Sequence, residues 1–108
     1  MTVTICKHTC EAGALYQWDR GQTLRIEGLS LTSAPEIHFA RSGARRAIAR
    51  QASMDSSGVI TVTVPNELLE HAGSLHVYVC QGIGEEVCTL YEFTLNVQSR
   101  AKPGNYEE

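Results

Sequence analysis

Long apolar runs are missing from this chain. No stretch approaches the ~18 consecutive apolar residues that cross a bilayer as a helix. The N-terminus has no basic patch followed by an apolar core, so the pattern of a secretion signal is absent too. Phosphate chemistry finds no support: Gly82-Ile83-Gly84 is too short for a phosphate-binding loop and falls inside a hairpin pattern. A G-x-S-x-G nucleophile elbow is also absent. Charge is scarce at 19% of residues, and nine Lys+Arg against twelve Asp+Glu leave a net −3. That balance argues against a general nucleic-acid binder. What remains is 108 residues with 43% apolar content, too apolar for disorder and long enough for one compact domain. Folding a chain of this size buries roughly 65% of its extended surface.

Cysteine is present four times, as Cys6, Cys10, Cys80 and Cys88. Without a secretion pattern, free thiols are the expected state. Zinc sites usually show closely spaced cysteine pairs with nearby histidines. Cys6 and Cys10 flank His8, but the seven residues between Cys80 and Cys88 match no common zinc knuckle. No metal or cofactor is expected. Of the four histidines (His8, His38, His71 and His76), none lies in a nucleophile or metal motif. His38 and His76 fall at outward strand positions, where a solvated ring is the expected state. Asp19 and Asp55 fall in turns, a common structural place for Asp. No catalytic residue is assigned.

Strand periodicity dominates the chain. Val3 to Cys6 reads as a short strand, Thr9 to Gly13 as a loop, and Leu15 to Trp18 as an apolar, aromatic segment. Asp19-Arg20-Gly21-Gln22 has turn chemistry. Thr23 to Glu27 and Glu36 to Ala40 alternate, with Leu24, Ile26, Ile37 and Phe39 inward. A strand over Arg45 to Gln51, a turn at Asp55-Ser56-Ser57-Gly58 and a β-branched strand over Val59 to Val64 follow. Pro65 to Glu70 breaks the pattern as a short crossover helix, with Asn66 as its cap and Gly73 as its stop. Ser74 to Cys80 and Cys88 to Val97 form a hairpin around Gln81 to Glu86. Strict alternation puts Leu75, Val77, Val79, Tyr91, Phe93, Leu95 and Val97 inside. It puts Cys80 and Cys88 together on the outer face, close enough for a disulfide under oxidising conditions. About seven short strands in roughly 100 residues indicate an all-β sandwich over residues 1–98. Residues 99–108 read as a polar tail with Tyr106 as its one large apolar contact.

Two local features have both a functional and a structural reading. Between Ile37 and Met54 there is no acidic residue, but Arg41, Arg45, Arg46 and Arg50 are all present. Such a patch suits an acidic partner surface or nucleic acid. It equally suits a solvated strand face that guards a sheet edge against aggregation. Trp18 is the sole tryptophan. It either anchors the core against Leu24 and Ile26, or stands exposed as an interface hot spot or sugar-stacking platform.

Three segments occur together: Leu15-Tyr16-Gln17-Trp18-Asp19-Arg20-Gly21-Gln22, Val64-Pro65-Asn66-Glu67-Leu68-Leu69, and Lys102-Pro103-Gly104-Asn105-Tyr106. In this order and spacing they resemble an immunoglobulin-like module of tailed-phage and prophage structural proteins, found at the N-terminal end of fibre or baseplate-associated proteins. The resemblance spans nearly the whole chain, although the four cysteines and the absent Cys…Trp…Cys arrangement of antibody domains are not part of it. It implies an immunoglobulin-like sandwich of about seven strands, made in the bacterial host cytoplasm and placed in a virion. The implied role is non-enzymatic docking onto other virion proteins, with no membrane or nucleic acid, and with self-association through a downstream region. Tyr16, Gln17, Asp19, Arg41, Arg45 and Arg46 are the contact candidates. A carbohydrate-binding module on the same scaffold is the alternative.

Overall fold

The computed structural model describes residues 1–4, 10–29, 31, 33–83 and 86–104, with residues 10–12, 82–83 and 86–88 described by their backbone alone. The strands are β1 (Thr2–Thr4), β2 (Cys10–Ala12), β3 (Leu15–Tyr16), β4 (Thr23–Glu27), β5 (Glu36–Arg41), β6 (Ile48–Gln51), β7 (Ser53–Met54), β8 (Ile60–Thr63), β9 (Gly73–Ile83) and β10 (Glu86–Gln98). A 3₁₀ turn spans Asn66–Glu70. The strands form two five-stranded sheets, ordered β2-β1-β4-β8-β7 and β3-β10-β9-β5-β6. The all-β sandwich read from the periodicity is therefore the fold. Its additional strands are short: β2 pairs with β1 over residues expected to form a loop, and β3 and β7 are two residues each. Among the described residues no helix is long and apolar enough to span a bilayer, which says nothing of barrels.

Alternation builds the core. Leu24 and Ile26 of β4, Ile37 and Phe39 of β5, Ile60 and Val62 of β8, and Leu75, Val77 and Val79 of β9 are all buried. Phe93, Leu95 and Val97 of β10 join the same cluster. Each such side chain stabilises the fold by roughly 1.5–3 kcal/mol when taken from water. The Asp55–Gly58 turn forms as its sequence suggests. The Asp55 carboxylate accepts the Ser57 and Val59 amides at 2.8 and 3.0 Å, and Gly58 takes the positive φ of 83° that side chains resist.

Four readings of the sequence are corrected. First, strict alternation fails in β10. Register pairs Thr89 with Cys80 but Tyr91 with Val79, so Leu90 is an extra, bulged residue. Leu90 and Tyr91 are 45% and 40% exposed, because β9 and β10 outrun the strands of the facing sheet, of which the longest has five residues. Second, Cys80 keeps the outward register position, paired with Glu36 and Thr89, yet it is a buried free thiol. Its cross-strand partner in β10 is Thr89, whereas the Cys88 backbone pairs with Gln81, so the two cysteines are not register partners in the hairpin. Third, Asn66 does not cap the 3₁₀ turn, which has Pro65 at its cap position and no side-chain capping bond. The Asn66 side-chain oxygen instead accepts the Gly21 amide at 3.1 Å. The stop is also earlier, since His71 closes the turn and Gly73 already begins β9. Fourth, Arg45, Arg46 and Ala47 precede β6 rather than belonging to it. Ile5, Cys6, His8 and Tyr106 lie outside the described residues.

Candidate functional site

One end of the sandwich gathers most of what the sequence singled out. There β3 runs parallel to β10, pairing Leu15 with Val97 and Tyr16 with Gln98. The chain then turns over the 3₁₀ segment. Gln17 donates its amide to the Gln98 carbonyl at 2.7 Å and its side-chain nitrogen to the Glu70 carbonyl at 3.0 Å. The Trp18 amide reaches the Leu69 carbonyl at 2.6 Å. Gly21, with φ 65°, donates to Asn66 as described. The C-terminal segment closes the group: Arg100 Nη1 lies 3.9 Å from Asp19, and Lys102 Nζ stands 5.0 Å from the centre of the Trp18 ring. Segments that are far apart in sequence are thus bonded into one block.

Trp18 is not the core anchor. It sits half-buried outside the core cluster, with a positive φ of 73° unusual for a bulky residue. Holding that conformation costs of order 1–3 kcal/mol and needs a surround that over-determines it. The short bond to Leu69 and the neighbouring Gln17 and Gly21 bonds form that surround. Lys102 covers a ring face in cation–π geometry, which leaves less of the indole for stacking on a sugar. Because Trp18 is the only tryptophan, the contact can be read optically. Lys102→Ala is expected to shift and re-intensify the intrinsic emission while lowering stability by about 0.5–1 kcal/mol. An unchanged spectrum would mean that the ammonium does not sit on the ring.

Three strand spacings across the sheet, about 14 Å, lies the end of β5. Arg41 pairs there with Leu75 of β9, and the exposed loop beyond it carries Arg45 and Arg46. No ion pair involves Arg41, Arg45, Arg46 or Arg50 among the described residues, whereas Arg25 is bonded to Glu27 at 3.0 Å. A groove of about 120 Å³ opens beside Arg41, with His71, Ser42 and Ser74 at its rim and Leu68 and Val97 among its apolar lining. It is smaller than the ~300 Å³ lower bound of small-molecule pockets, and its size suits a single inserted side chain.

All six contact candidates therefore lie at this end, in two groups. Tyr16 is exposed at 41% and available. Gln17 and Asp19 are committed to internal bonds and act as staples. Arg41, Arg45 and Arg46 form the exposed cationic group. Sequence reasoning missed the contribution of Ser42, His71 and Ser74, which brings the end of β5 to the junction of the 3₁₀ turn with β9, about 30 residues away along the chain. Elsewhere, His38 is bonded to Glu36 at 2.6 Å rather than standing in open solvent, and His76 Nδ1 is 3.1 Å from the Thr94 hydroxyl. Among the described residues no group of three or more His, Cys, Asp or Glu side chains could hold a metal ion. A scan against protein-family models gives no match, and no curated protein matches the chain.

Proposed function

We propose that this chain is a non-enzymatic structural and attachment module of a phage or prophage virion, an immunoglobulin-like sandwich of the fibre- or baseplate-associated kind. It docks its basic end onto acidic surfaces of neighbouring virion subunits, after assembly in the bacterial host cytoplasm. One observation carries the reading. The described residues of the segments in which the resemblance resides are held together in one block, at the same end as a set of arginines that no acid among the described residues neutralises. Fold alone carries no function. A stapled turn beside unneutralised guanidinium groups supplies what protein recognition needs: a preorganised frame and complementary charge. Tyr16 adds an amphipathic ring of the type enriched at interfaces.

The test uses particles produced by the bacterium that encodes the chain. Banded on a density gradient, they should carry the chain at a fixed ratio to their major structural proteins. Arg45→Glu/Arg46→Glu should lower incorporation by about tenfold or more, because reversing rim charges slows association and removes its salt dependence. Particles that lack the chain, or that take up the variant as readily as the wild type, overturn the proposal.

A further inference from the structure

The sheet β3-β10-β9-β5-β6 closes poorly on both flanks. β3 covers only Val97 and Gln98 of β10. From Leu90 to Asn96 no other strand lies beside β10 on the side away from β9, among the described residues. The Gln98 carbonyl points to that open side, since it accepts the Gln17 amide there. Alternation therefore turns the N–H and C=O groups of Asn96, Thr94 and Glu92 outward as well. On the opposite flank, among the described residues, β6 has β5 on one side only. By the same alternation its outward backbone groups belong to Ala49 and Gln51.

We infer that copies of this chain associate edge to edge, with β6 of one copy adding to the open flank of β10 in the next. Geometry supports this occupant. β6 runs antiparallel to β10 through the intervening antiparallel pairs, so copies in the same orientation meet in an antiparallel junction. Parity agrees too. Glu92 and Thr94 pair with Tyr78 and His76 on the solvent face, and Ala49 pairs with His38 on that face. The junction thus continues the core face, carrying Ile48 and Arg50 alongside Tyr91 and Phe93. Charge is complementary: the open stretch Leu90–Asn96 of β10 holds Glu92 and no base, while β6 holds Arg50 and no acid. Gatekeeper charges repel their own sign, so flanks of opposite sign guard against like pairing and favour this one. In the isolated chain the Arg50 guanidinium bonds the outward Ala49 carbonyl at 2.9 Å. Docking exchanges that exposed bond for a backbone one and frees the cation to lie over the exposed Tyr91 ring. A head-to-tail contact of this kind, with the twist of a sheet, propagates into a ring or a helical filament.

Proline tests the junction at its outward amides. Thr94→Pro and Ala49→Pro each remove an N–H that bonds no neighbour within the sheet, a placement edge strands tolerate. Thr94→Val keeps the amide and serves as control, and circular dichroism confirms that every variant is folded. In sedimentation velocity the wild type and Thr94→Val should associate with rising concentration, more so at low salt. Each proline variant alone should be monomeric. Their equimolar mixture should form a one-to-one dimer that grows no further, since only one intact pair of flanks remains. A wild type that stays monomeric at low salt, an Ala49→Pro variant that still self-associates, or a mixture that stays monomeric would each overturn the inference.

Discussion

Phe39→Ala is expected to destabilise the chain by about 3–5 kcal/mol. Phe39 is fully buried. Its strand lies between β9 and β6, where register sets it beside Val77 and Ile48. Truncation removes the ring from an apolar layer with no polar group to fill the space, so transfer and cavity terms add. Domains of this size are stable by about 5–15 kcal/mol, so the loss is a large share of the total. At about 4 °C or more per kcal/mol, the thermal midpoint followed by circular dichroism should fall by about 12 °C or more. Phe39→Leu keeps most of the volume and should cost under about 1.5 kcal/mol. A fall of only a few degrees for the alanine variant would show that the two sheets do not close over this position.

Leu69→Ala is expected to cost about 2–5 kcal/mol, with an added local signature. The Leu69 side chain is fully buried, while its carbonyl holds the strained Trp18 turn through the 2.6 Å bond. The same residue therefore links core packing to the geometry of the basic end. Hydrogen exchange should show the Trp18 and Gly21 amides opening by more than the global loss accounts for, since local opening and global unfolding have separate free energies. Equal protection losses across the chain would mean that the 3₁₀ turn only packs and does not staple. Lys102→Ala reports on the same block from the outside, through tryptophan emission. The two variants separate support from below from cover from above.

The proposed docking surface adjoins β6, but its test is read in particles and that of the edge-to-edge junction in solution, through different residues. Reversal of Arg45 and Arg46 addresses the loop beyond β5. Proline at Thr94 or Ala49 addresses backbone amides that take no part in the basic end. A chain incorporated into particles yet monomeric in solution would keep the first reading and discard the second.

Much of the fold could be read along the chain, because burial on one side of a pleated strand imposes a period of two on hydrophobicity. That period places Leu24, Ile26, Ile37, Phe39, Leu75, Val77 and Val79 inward, and all are buried. The basic segment was visible for a similar reason, since charge is a property of composition. The errors share one cause. Leu90 looks like any other residue of an alternating run until its neighbour strand shows that it has no partner. Cys80 occupies an outward position by parity, yet it is enclosed. Asn66 has the chemistry of a cap, but the Gly21 amide claims its oxygen from a segment 45 residues away. Trp18 carries the largest apolar side chain, and a backbone bond to Leu69 holds it in a surface turn. Local pattern thus specifies which residues leave water. Register, bulges and the partners of polar groups depend on atoms brought together by the remainder of the chain, and long-range pairing supplies information that no window of sequence contains.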